Sequence, residues 1–233
     1  MQYIVYIPTS LNTPEFEIML SKAQILIDQK KNVEIITLGK DKLSGEVHTT
    51  SKNIFSQTLI DKACFIKRKS GFKNLRGNFK LTYINDFKDY YYKFLKKKKK
   101  TPDQVKKLSF FGIDFGTSAL SSYLGLSRDA NLEGLISENS LNKIINTSLN
   151  IYFFFKKKLN TKKYVVYLYN GRHSEYRPIV RLCKKLKINC FILEFCGDGE
   201  KNIGIQEFRN HLPTDLKPMK NLFNKFWNIK KNK

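Results

Sequence analysis

The first forty residues constrain the fold most. Tyr3 to Ile7 is a short run of β-branched and aromatic residues closed by Pro8, which predicts a strand. A polar loop follows, TSLNTPEFE, with a proline near a helix start. From Pro14 to Gln29, Phe16, Met19, Leu20, Ala23, Leu26 and Ile27 recur at helical spacing. Val33 to Leu38 predicts a second strand, ended by Gly39. Strand, loop, helix and strand in that order open a parallel α/β sheet.

The rest of the chain extends this pattern unevenly. Residues 40 to 80 are polar and punctuated by glycine, with one apolar island from Ala63 to Ile66. Asp86 to Leu95 is aromatic and predicts a helix; the run Lys96 to Lys100 reads as a solvated linker, and Thr101-Pro102 starts another helix. Residues 114 to 128 and 139 to 159 are helical in pattern, the second ending in three lysines that suit a helix C-terminus. Tyr164 to Tyr169 predicts a buried strand, Arg177 to Leu186 a helix and Cys190 to Phe195 a strand, with a glycine-rich loop after it. The expected fold is therefore α/β: a Rossmann-like three-layer parallel sheet with a helical insertion in its middle. Residues 1–216 form that domain and residues 217–233 a basic helix or tail.

Composition bounds the rest. Hydrophobic residues make up 41% of the 233, enough for a core. No apolar run approaches the roughly 20 residues that span a bilayer. The N-terminus shows no signal-peptide pattern, so the expected location is the cytoplasm. The four cysteines form no C-x-x-C pair and the three histidines supply no zinc spacing, so buried, reduced thiols and no metal are expected. A net charge of +23 would attract polyanions. Only seven of the 43 basic residues are arginine, however, and the wealth of Lys, Asn and Ile matches an A/T-rich coding bias, so no specific nucleic acid is expected.

Two candidate features lie at strand ends. The strand Tyr164 to Tyr169 delivers Asn170, Gly171 and Arg172 to the edge where open α/β sheets bind ligands. Asn-Gly permits a tight turn, and Arg172 and Arg177 stand near a helix start that favours an anion. A plain connection with solvated arginines is the equal alternative. Glu194 ends the next strand and would share that crevice as a general base or as a structural carboxylate paired with arginine; Glu15 and Glu17 belong to the same rim. The stretch GIDFGTSA, Gly112 to Ala119, resembles the first phosphate loop of the actin and sugar-kinase superfamily. It lies mid-chain before a helical pattern and is read as a chance match.

The run YLYNGRHSEYRPIVRLCKKLKI resembles the Asn-Gly-Arg segment of bacterial surface-carbohydrate (capsular polysaccharide) glycosyltransferase-like proteins. TPEFEIMLSKAQILIDQKKNVEIITLGK, SALSSYLGLSRDANLE and ILEFCGDGEKNIGIQEFRNHLPTDL follow the same family in order. The resemblance implies the acceptor-side half of a two-domain (GT-B type) glycosyltransferase. It implies Glu194 as catalytic base or acceptor ligand, and Asn170, Gly171, Arg172 and Arg177 as substrate-binding residues. The chain itself would carry no cofactor, and a missing or partner glycosyltransferase domain would bind the nucleotide-sugar donor. The implied partner is a glycan or lipid-linked acceptor, with peripheral contact to anionic membrane as an allowed addition. Whether the chain is an enzyme by itself stays open. The alternative class is a non-enzymatic basic module that binds RNA or anionic membrane through its lysines.

Overall fold

The structure is a computed structural model. It describes residues 1–10, 14–39, 54–90, 101–127, 138–160, 163–197, 203–215, 217 and 220–221. The elements are β1 (Gln2–Tyr6), α1 (Glu15–Asp28), β2 (Asn32–Leu38), α2 (Ile54–Lys73), β3 (Lys80–Ile84), α3 (Pro102–Lys106), α4 (Phe115–Ser127), α5 (Glu138–Lys158), β4 (Tyr164–Tyr169), α6 (Arg177–Leu186), β5 (Asn189–Gly197) and β6 (Ile203–Arg209).

One six-stranded sheet has the order β3-β2-β1-β4-β5-β6. The first five strands are parallel and β6 runs antiparallel to β5. This is the expected Rossmann-like α/β architecture. Strand alternation assigns each face its own core. Val5, Ile7, Val33, Ile35, Val165, Tyr167 and Leu193 pack against α1 and Phe72 of α2. Ile4, Tyr6, Ile36, Val166, Leu168 and Ile192 pack against α3 to α6. The expected helical insertion is α3 to α5, the crossover from β3 at one edge to β4 beside β1. Strand order reverses between β1 and β4, so their C-terminal ends flank the switch point, the position where open sheets take ligands.

Local signals explain several boundaries. Thr101 and Gln104 form a reciprocal capping box at the start of α3. Pro178 lies in the first turn of α6, and Lys187 ends that helix in the left-handed region at φ 57°. Cys64, Cys183 and Cys190 are buried and form no disulfide. Among the described residues, no helix is long and apolar enough to cross a membrane.

Three segments depart from expectation. α2 and β3 occupy a stretch that reads as polar, and β6 lies where a loop was expected. Residues 85–90 are not helical. There the Lys88 and Tyr90 amides donate to the side-chain oxygens of Asn150 and Asn146, both at 2.7 Å, and Asn150 Nδ2 donates back to the Lys88 carbonyl. Side chains of α5 thus satisfy backbone groups that a helix would have paired internally. Lys96 to Lys100 and all but three residues of 217–233 lie outside the described residues.

Candidate functional site

Polar side chains gather inside the fold at the C-terminal edge. Thr9 and Ser10 follow β1, Thr37 lies in β2, Arg68 comes from α2, and Asn170, Ser174 and Glu175 follow β4; all are buried. The Ser10 hydroxyl donates to the Cys64 carbonyl at 2.7 Å. Ser174 is anchored from the helical layer: its amide donates to Ser122 Oγ at 2.9 Å and its carbonyl accepts from Ser148 Oγ at 2.7 Å.

Arg68 is 2% exposed. Its Nη1 donates to the Pro8 carbonyl (2.8 Å), Thr37 Oγ1 (2.6 Å) and the Leu38 carbonyl (2.8 Å), tying together the ends of β1 and β2. Its Nε and Nη2 are buried without a hydrogen-bond partner. Burial lowers this guanidinium to about 10, against the opposing influence of Cys64, Tyr83, Tyr6 and Glu175. It is still charged at neutral pH.

The outer rim is a second cluster on the same edge. β4 and β5 are parallel neighbours, with Tyr169 opposite Leu193. Asn170 turns the chain at φ 58° and Gly171 continues at φ 74°. The Asn170 side-chain oxygen accepts from the Arg172 amide (3.1 Å) and Arg172 Nε (2.9 Å), while its Nδ2 donates to Glu194 Oε1 at 3.3 Å. Arg172 Nη2 stands 3.6 Å from the same carboxylate. Burial raises the Glu194 carboxyl and the Arg172 charge opposes that rise. Burial, and then the Arg172 charge, lower the His173 imidazole below its ordinary value.

The Tyr169 hydroxyl is raised by burial and then by Glu194, with Glu15 and Arg172 also acting on it. Tyr176 donates to the Glu15 carboxylate, and its ring packs edge-on to Tyr6 at 5.8 Å. Glu17 pairs outward with Lys67 at 2.8 Å.

The structure thus brings Asn170, Gly171, Arg172 and Glu194 to one edge and takes Arg177 away from it. Arg177 Nε and Nη2 grip Asp114 Oδ2 at 2.8 and 2.5 Å, and Arg181 adds a contact to Oδ1 at 3.2 Å. Burial raises the Asp114 carboxyl, but these arginines outweigh it and hold the group below its ordinary value. Within GIDFGTSA, Gly112 sits at φ 71° in the turn closed by Phe110 and Ile113, and α4 begins at Phe115. That segment locks the insertion onto α6. Sequence reasoning passed over Thr9, Ser10, Thr37, Arg68 and Glu175. The signal for Thr9 and Ser10 was present, since they follow a central parallel strand. Arg68 lies in the run IKRKS, which reads as solvated. Among the described residues, no group of three or more side chains is suited to hold a metal.

No family model matches the chain, and no curated protein matches it. A solved structure of a cyclodipeptide synthase from Fluoribacter dumoffii is similar: it is 13% identical, the match covers 89% of this chain and 90% of that one, and the TM-score is 0.48. The matching structure is not a glycosyltransferase, and nothing else found places the chain in a surface-carbohydrate family. The glycosyltransferase and capsular-polysaccharide assignment is therefore overturned. The basic-module alternative gains no support either. The segments that carried the resemblance have local explanations in this fold. Asn170 and Gly171 fill positive-φ positions of a strand-ending turn, and Arg177 and Arg181 bind Asp114.

Proposed function

We propose that the chain binds and transforms a small polar ligand in the crevice above β1 and β4. The inner hydroxyls and Arg68 would form the floor, and Asn170, Arg172 and Glu194 the rim. One observation carries this reading: seven of the thirteen buried polar side chains described lie at this one edge. Burying polar groups opposes folding unless they are paired, so their concentration calls for a reason beyond stability. Partly buried carboxylates beside hydroxyls and a guanidinium are groups suited to proton transfer and to steadying negative charge.

The test is amide NMR with a panel of amino acids, nucleotides, sugar phosphates and organic acids. At least one class is expected to shift the Ser10, Gly171 and Ser174 amides while leaving Glu34 and Lys80, at the far end of the strands, unmoved. Ser10→Ala should weaken that binding about tenfold, the loss of one good hydrogen bond to a polar ligand. Shifts confined to other surfaces, or none, would defeat the reading.

A second reading rests on the Ser10 hydroxyl, not on the structural likeness. A hydroxyl at the end of a central strand, with a buried carboxylate in the neighbouring loop, suits acyl transfer. Ser10 Oγ would attack the carbonyl of an activated amino acid ester, forming a seryl ester and expelling the ester's alcohol, which takes up the serine proton. The amine of a second amino acid would then attack that ester, forming an amide as Ser10 Oγ leaves and takes up the amine's proton. Mass spectrometry should show an added aminoacyl mass on Ser10, lost in Ser10→Ala; an unmodified Ser10 would remove this reading.

A further inference from the structure

Arg68 carries more hydrogen-bonding capacity than its surroundings use. Its structural task, joining the carbonyls of Pro8 and Leu38 to the Thr37 hydroxyl, falls entirely on Nη1. Nε and Nη2 lie along another edge of the same planar group, buried and without a partner. The N–H groups of these two atoms run parallel and form the fork that matches two oxygens of a carboxylate or phosphate. The arginine adds a fixed pair of donors, and it does so beside the switch point.

Among the buried polar side chains described, Arg68 is the cation of this edge. The Ser10 hydroxyl gives its proton to the Cys64 carbonyl of α2, the helix that also supplies Arg68, so the donors for an anion are those of the guanidinium. Among the groups that act on Arg68, Glu175 is the carboxylate, and its influence is the smallest of the four that oppose burial. It leaves Nε and Nη2 unbonded.

We propose that this edge binds an oxyanion, the carboxylate or phosphate group of its ligand, in two-pronged contact with Nε and Nη2 of Arg68. The proposal rests on the crevice above β1 and β4 being the ligand site, and it adds the ligand's chemical class.

The test is the Nε–H NMR signal of Arg68, one of only seven arginines in the chain. The full chain is titrated with sodium phosphate and, separately, sodium acetate. Chloride keeps the ionic strength constant, so that attraction to the many lysines cancels. A saturable shift of the Arg68 signal is expected with at least one anion. A response to phosphate alone assigns a phosphoryl group, and a response to acetate alone a carboxylate. Arg68→Lys keeps the charge but lacks the fork, and should lower the affinity about tenfold. No shift beyond the chloride control, or an Arg68→Lys protein that binds as wild type does, overturns the proposal. If that variant does not fold, the wild-type titration decides alone. Neutral ligands moving Ser10 and Gly171 while neither anion moves Arg68 would leave the ligand crevice standing and remove only its anion.

Discussion

The two ends of the parallel sheet each bury a charge, and they treat it differently. Near the N-terminal end, Glu34 is 0% exposed and saturated. Its Oε2 accepts from Gln2 Nε2 at 2.6 Å, and its Oε1 accepts from Thr82 Oγ1 and Lys158 Nζ, both at 2.7 Å, with Lys80 Nζ at 3.9 Å. At the C-terminal end, Arg68 is as deeply enclosed but uses one nitrogen of three. Saturation marks a charge retained for structure, because every group taken from water has regained a partner. Incomplete satisfaction marks an end of the fold that still has donors to offer. The contrast separates a closed end from an open one.

The largest expected effect breaks the closed end. Lys158→Met leaves the Glu34 carboxylate buried with two neutral donors and one distant ammonium. Removing one partner of a buried pair costs about 3 kcal/mol or more. Urea unfolding should show that loss as a lower midpoint at unchanged slope. The double variant Glu34→Gln, Lys158→Met should recover much of it, because no buried charge then lacks a partner. A loss under about 1 kcal/mol in Lys158→Met would mean that Lys80 moves in, and the end would not be closed by geometry.

A smaller effect tests whether the open end is shaped by backbone. Gly171 sits at φ 74°, and a Cβ there would fall 2.6 Å from Leu212 Cδ2. Left-handed geometry and that overlap together predict a loss of about 2 kcal/mol for Gly171→Ala. Amide shifts should concentrate at Asn170, Arg172 and Glu194 and spare Glu34. A near-neutral Gly171→Ala would show that the turn adapts, and the rim would lose its claim to a fixed shape.

The closed and open ends were unequally legible in the sequence. β1, α1, β2, β4, α6 and β5 were readable because their apolar residues follow strand or helix spacing, a direct consequence of facing two cores. β3 was not, because an edge strand needs no continuous apolar run, and KLTYI is only partly covered. α2 hid its character by exposing Ile66 and burying Arg68. The meeting of Asn170, Arg172 and Glu194 follows from register: Tyr169 lies opposite Leu193, so the residues after β4 stand beside Glu194, although β5 runs on past it to Gly197 instead of ending there as expected. Arg177 stands near that edge in sequence and leaves it in space because Asp114, 63 residues earlier, reaches it from the insertion. Arg68 required knowing where α2 packs, which no local pattern records.

The smallest expected change in stability tests the rim itself. The Arg172 side chain is 44% exposed and stands 3.6 Å from Glu194, so solvent screens the pair and Arg172→Ala should alter stability by no more than about 0.5 kcal/mol. The effect should appear in titration instead. Burial already holds the Glu194 carboxyl above its ordinary value, and Arg172 opposes that rise. Without the guanidinium the folded-state value should climb further. A raised carboxyl binds its proton more tightly in the folded protein. Its contribution to stability is therefore full below the unfolded value of about 4.3 and is lost as pH rises through the folded one. The variant should extend that window to higher pH, lowering its stability at neutral pH relative to pH 4 more than wild type does. Carbon NMR of the Glu194 carboxyl reads the midpoint directly. An unmoved midpoint would mean that Arg172 does not act on Glu194, and the open end would reduce to the inner cluster around Arg68.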